Sequence, residues 1–124
     1  MPRHSIQPDD LATPKLPYSP VCVSGDLVFI SGQVPFDEQG NLVSDEFRAQ
    51  VHQTLQNLGR CLAAAGCGFE DVVKVNGYLA DLANGPVYNE VYAEYFTPPY
   101  PARSTVGASL FGFDIEIEAV ARRP

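Results

Sequence analysis

The chain has 124 residues, 45% of them hydrophobic, with no apolar run long enough to span a bilayer. Residues 1–124 read as one domain able to bury roughly two thirds of the surface its unfolded form exposes, which excludes a disordered or membrane-spanning protein. The net charge of −7, with eight basic residues scattered along the sequence, argues against a nucleic-acid partner and makes any cation facing a pocket attractive to small anions.

The opening MPRHSIQPDD lacks the apolar core of a secretion signal, so a cytoplasmic location is expected. In PVCVSGDLVFISG, two β-rich runs, Val21–Ser24 and Leu27–Ser31, flank Gly25 and Asp26, a two-residue hairpin signal. From Asp45 to Ala65, the apolar residues Phe47, Val51, Leu55, Leu58, Leu62 and Ala65 recur at steps of three and four. Gln50, Gln53, Asn57 and Arg60 fall between them. This spacing predicts an amphipathic helix with Asp45 and Glu46 in its first turn and Gly66 as its left-handed stop.

DVVKVNGYLADL alternates Val73, Val75 and Leu79 against Lys74, Asn76 and Tyr78, and so predicts a strand whose apolar face is broken by Gly77. Asn84, Gly85 and Pro86 resemble a helix start, Val87, Val91, Tyr92, Tyr95 and Phe96 supply a stripe, and TPPYP stops it. The last two runs, Ala102–Leu110 and Asp114–Ala121, are joined by a short turn around Phe111 and Gly112. The predicted order is ββαβαββ, an α+β arrangement with both helices on one sheet face, and the other face either polar or covered by another chain.

Ile115, Ile117, Ala119 and Ala121 point to one side of the final strand, and Glu116, Glu118 and Val120 to the other. If the last two strands form a tight hairpin, Arg103, Thr105 and Gly107 share the glutamate face; a one-residue slip reverses this. Arg103 could then be a cross-strand ion-pair partner, or a binding group. Spacing alone does not choose. Cys22, Cys61 and Cys67 are odd in number and lack CxxC spacing, so reduced thiols are expected rather than a disulfide framework or zinc site. His4 and His52 form no ligand motif.

The pieces PYSP, VFISGQVP, QTLQNLGRCLAAAGCGFEDVVKVNGYLADL, YNEVYAEYF, PARSTV and IEIEAVA resemble, in order and spacing, the RidA (YjgF) family of reactive-intermediate imine deaminases. The resemblance covers nearly the whole chain, and PARS followed by IEIEA is its most specific part. It implies a chorismate-mutase-like α+β fold with a single layer of two helices on one mixed β-sheet. It also implies a homotrimer with sites in the clefts between subunits, neither cofactor nor metal, and hydrolysis of enamines and 2-imino acids to 2-oxo acids and ammonia.

Carried onto this chain, the resemblance makes Arg103 the carboxylate-binding arginine and Glu116 the acid near the attacking water, with Glu118 its solvent or interface neighbour. Tyr18, Ser31 and Asn89 match further polar pocket positions. Thr105 stands where many members have cysteine, at a contact made mainly through the backbone. The connection around LFGF is about two residues shorter than usual, which bears on substrate choice. Two other classes stay open: a related hydrolase of larger substrates, of aminomuconate or carbamate type, and a non-enzymatic member that binds small 2-oxo acids or acts as a chaperone or translation-associated factor.

Overall fold

The computed structural model describes residues 2–124. In chain order the elements are β1 (His4–Ile6), β2 (Val21–Ser24), β3 (Leu27–Gln33), α1 (Phe47–Ala64), β4 (Val72–Leu79), α2 (Gly85–Tyr95), β5 (Ala102–Gly107) and β6 (Ile115–Arg122), with short 3-10 turns before β4 and before α2. The result is α+β, with two helices on one mixed six-stranded sheet of order β1-β2-β3-β6-β4-β5. The predicted order is present, with β1 added at one edge. Three residues of HSI carry too little pattern to announce a strand. No helix among the described residues is long and apolar enough to cross a membrane.

The predicted hairpin forms as read: Ser24 pairs with Leu27, and Gly25 takes φ 61°, the left-handed conformation such a turn wants. Helix α1 buries Val51, Leu55, Leu58 and Leu62 completely and ends before Gly66 at φ 78°. Its start is later than predicted. Glu46 is the cap rather than a first-turn residue, its carboxylate accepting the Ala49 N–H at 2.9 Å. Two residues predicted for the polar side of α1 are buried instead. Asn57 donates to the carbonyls of Val34 and Phe36 at 2.9 Å each, and Gln50 accepts the Asp114 N–H at 2.8 Å. These amides satisfy backbone groups of loops that cross the helix, and the Gln50 bond fixes the start of β6.

In β4 the ladder with β6 slips between Val72 and Lys74, so Val72 takes the core position and Val73 is turned out, 48% exposed. That local bulge defeats simple alternation. From Val75 onward the reading holds, with Val75 and Leu79 buried. Gly77 has a structural reason: a Cβ there would lie 2.6 Å from the Tyr88 hydroxyl, so the missing side chain makes room for the α2 tyrosine.

The expected hairpin between the last two strands is absent. Strand β5 pairs in parallel with β4 at the sheet edge, and β6 runs antiparallel between β3 and β4. The connection passes over the end of β4, clamped by Ala108 N–H on the Leu79 carbonyl and Ala80 N–H on the Asp114 carbonyl. Burial explains the order. Ile115, Ile117, Ala119 and Ala121 are at most 4% exposed and suit a central strand, whereas β5 is exposed along most of its length and suits an edge. β4, α2 and β5 thereby form a parallel crossover unit.

This pairing reverses the expected face of Arg103. Val75 is level with Arg103 and Gly77 with Thr105, so Arg103 and Thr105 lie on the helix side. Tyr78 is level with Glu116 and Asn76 with Glu118, on the other side. The cross-strand ion pair between Arg103 and a glutamate is therefore not formed.

Candidate functional site

The first cluster is built where β5 passes beneath α2. One turn of α2 supplies Tyr88, Asn89 and Tyr92, and all three address the Arg103 head group. Its Nη2 donates to Asn89 Oδ1 at 2.8 Å, and its Cζ lies 4.7 Å from the Tyr92 ring centroid and 5.1 Å from that of Tyr88. Aromatic faces and a neutral amide orient a guanidinium without cancelling its charge. None of the ion pairs among the described residues involves Arg103. Its fork is left with donors for an external anion. Beside it lies a cavity of about 320 Å³ lined by Asn89, Tyr92, Ala93, Tyr100, Pro101 and Arg103.

Thr105 joins this cluster two residues along the strand. Its hydroxyl is buried without a hydrogen-bond partner, and so are those of Tyr88 and Tyr92. The Tyr88 hydroxyl lies near Arg103 and Thr105 but forms no well-aligned bond with either. Burial pushes it up to about 12, against the opposing pull of Arg103. The Thr105 backbone is turned the other way. Ala108 N–H points at β4, and peptide groups alternate along a strand, so those of Arg103 and Thr105 face the open sheet edge.

The second cluster is on the opposite face. Glu116 is half-buried, and its carboxylate packs against Gly32, where any Cβ would collide with it. Burial raises its carboxyl above the usual range, and the neighbouring Glu118 raises it further, with no donor offsetting either effect. Glu118 differs, because its carboxylate accepts the Tyr78 hydroxyl. Two adjacent acids on one face are thus unequal: one is tied to a phenol and the other is free and proton-retentive.

Ser31 and Tyr18 lie around the bulge of β3, next to Gly32. Strand β3 bulges between Ile30 and Gln33. The Ser31 hydroxyl donates to the Ser19 carbonyl at 2.6 Å, holding the proline-rich loop that carries Tyr18, which is 52% exposed. Tyr18 and Gly32 line one groove of about 460 Å³ under that loop. The residues carried over from the resemblance therefore fall into two groups: Arg103, Asn89 and Thr105 under α2, and Glu116 on the far face, with Ser31 and Tyr18 around the β3 bulge where Gly32 meets its carboxylate. Tyr88, Tyr92, Gly77 and Gly32 were not singled out as site residues. Two tyrosines one turn apart around Asn89, and glycines inside strands, are the signals that could have found them.

Among the described residues, no three His, Cys, Asp or Glu side chains converge as a metal site. All three cysteines are free. Cys61 is buried, its thiol pushed up to about 12 chiefly by burial, while Cys22 and Cys67 are partly exposed.

The sequence profile of the family described as Endoribonuclease L-PSP matches residues 10–123. A RutC family protein of Pyrococcus horikoshii is 44% identical over 108 residues, covering 85% of this chain and 86% of its own. The human 2-iminobutanoate/2-iminopropanoate deaminase is 43% identical over 108 residues, covering 85% of this chain and 79% of its own. A crystal structure of RidA from an Antarctic Psychrobacter superposes with a TM-score of 0.90 at 37% identity, covering 96% of this chain and 98% of that one. With profile, sequence and fold in agreement along nearly its whole length, the chain belongs to the RidA (YjgF) family.

Proposed function

We propose that this protein hydrolyses small 2-imino acids and their enamine tautomers, such as 2-iminopropanoate and 2-iminobutanoate, to 2-oxo acids and ammonia. Arg103 holds the substrate carboxylate through paired hydrogen bonds. Glu116 takes a proton from the attacking water as oxygen bonds to the imine carbon. It then returns that proton to nitrogen; the proton of the new hydroxyl follows the same route, from oxygen to Glu116 to nitrogen, as the C–N bond breaks, so that ammonia leaves and the carbonyl forms. Tyr18, Ser31 and Asn89 line the site, and Thr105 contributes its backbone at the sheet edge. Each proton in this sequence is held by Glu116 or water, so the scheme calls for no cofactor.

The observation that carries this reading is a guanidinium with no carboxylate partner, oriented by Asn89 and two tyrosine rings. Because Arg103 and Glu116 are on opposite faces, one chain does not complete the site. The β5 edge of one copy meets the glutamate face of the next in a homotrimer. Exposed apolar residues support such burial: Phe29 is 43% and Val106 48% exposed, and both are on the glutamate face.

The family description also names an endoribonuclease. A chain of net charge −7 with scattered basic residues gives a phosphate backbone little to hold, which favours the small carboxylate. An amino-acid oxidase or threonine dehydratase generating imines in place tests the proposal: ammonia should be released faster with this protein present, and no acceleration for any small imine would refute it.

A further inference from the structure

The cavity beside Arg103 has one charged wall and several apolar ones. Arg103 is its only charged lining residue and Asn89 its only amide; Tyr92, Ala93, Tyr100 and Pro101 make the rest. One Nη2 hydrogen goes to Asn89, which fixes the fork and leaves its other donors for a carboxylate. About 320 Å³ is within the range of small-molecule sites, and a two- or three-carbon oxo acid held at Arg103 leaves most of it unfilled. Unfilled space next to tyrosine and proline surfaces rewards an apolar group on the ligand. Ala93, one residue after Tyr92, is the small residue on α2 that keeps this space open, and Tyr100 is 55% exposed and free to close over a ring.

We propose that this cavity is a side-chain pocket and that the site prefers aromatic monocarboxylates, the 2-imino and 2-oxo acids bearing an arylmethyl group, over those bearing a methyl group. The proposal rests on the reading that Arg103 binds the carboxylate. The ring enters between Tyr100 and the Tyr92–Ala93 segment, and the carboxylate stays at the mouth with the guanidinium. Within one chain a second charge on the ligand side chain would find no partner there, since no other ionised residue among the described ones lines the cavity.

Calorimetric titration of the intact protein with pyruvate and with phenylpyruvate tests this. Phenylpyruvate should bind about tenfold tighter or more. Ala93→Tyr should bring the ratio of the two affinities close to one, and Arg103→Ala should abolish both. Tyr100→Ala, at an exposed position, should also lower the ratio and serves if Ala93→Tyr does not fold. Equal affinities in the native protein, a ratio unchanged by both wall variants, or binding that survives Arg103→Ala would each overturn the proposal. Assaying hydrolysis of the alanine-derived imine on the same preparation separates the two readings. No hydrolysis with the preference intact removes the deaminase and keeps the pocket; hydrolysis without the preference does the reverse.

Discussion

Arg103 and Glu116 stand on opposite faces of one sheet, in strands separated by β4. No side-chain rotation brings the two together within a chain, so a reaction that needs both must draw them from different copies. That makes complementation the sharpest test of the assembly. Arg103→Ala and Glu116→Gln proteins should each keep only a small fraction of native activity. Unfolded together and refolded into the proposed trimer at random, they should regain about a quarter of native activity, because half the copies offer each intact residue. Mixing that restores nothing, with trimers verified by light scattering, would place both residues in one subunit's site or remove one of them from the mechanism.

Glu116→Gln should lower turnover by roughly a hundredfold or more, the scale for losing a positioned acid or base. Glu118→Gln should matter less, since Tyr78 already engages that carboxylate. The raised carboxyl of Glu116 also sets a pH signature. On the proposed mechanism the base works only when ionised, so the acid limb of kcat/KM, which reports the free protein, should lie above the usual carboxylate range. The linkage sign follows from the same direction. A folded pKa above the unfolded one means that the ionised group disfavours the native state at neutral pH, and the folded chain gains relative stability as pH falls toward the unfolded pKa. Glu116→Gln should therefore be no less stable than the native protein at pH 7 in thermal melts. A clear loss of Tm would mean that the carboxylate is holding the fold together.

Gly77 and Tyr88 form a complementary pair, and stability measurements can read it. Gly77→Ala sets a methyl against the Tyr88 hydroxyl and should cost about 1–3 kcal/mol, the range for overpacking a filled core. Tyr88→Phe removes a buried hydroxyl that has no partner and should be neutral or stabilising. The double variant should recover part of the Gly77→Ala loss, since the hydroxyl is the nearest obstacle and the ring carbon behind it remains. Strict additivity in the cycle would show that Tyr88 moves aside freely.

Much of this architecture is legible before any coordinates. Gly25 between two β-branched runs announces the first hairpin, the three-and-four spacing of Val51, Leu55, Leu58 and Leu62 announces α1, and the alternation of IEIEAVA separates the isoleucine side from the glutamate side. Strand neighbours are another matter. Period two says which residues share a face of one strand but not which strand lies beside it, so it does not reveal that β4 separates β5 from β6, nor that Arg103 lies on the face opposite to the one a β5–β6 hairpin implies. The decisive fact, the clamp of Ala108 and Ala80 across the end of β4, is a pair of backbone bonds with no side-chain signature. The buried amides Gln50 and Asn57 escape notice for a related reason: residues that satisfy backbone groups of distant loops, an N–H for Gln50 and two carbonyls for Asn57, look in sequence like the wet side of a helix.

Arg103→Ala should strongly lower imine hydrolysis and leave fold and assembly intact. The side chain is exposed and makes no ion pair, so its removal leaves no buried charge behind, and the tyrosine rings it covers remain packed on Phe96 and on each other. On the proposed reading its value lies in the substrate. The carboxylate is the fixed charge of a small 2-imino acid, and losing a charge-assisted pair realised in the transition state should cost tens to about a thousandfold in kcat/KM. Arg103→Lys should recover little, because a point ammonium can neither lie flat on Tyr92 nor present two parallel donors while Asn89 holds a third. A purely structural arginine predicts the opposite pattern, with near-native turnover in both variants and a lowered Tm in the alanine one. Turnover and melting measured on the same samples decide between the two, and retained activity in Arg103→Ala would end the assignment of this residue to the substrate.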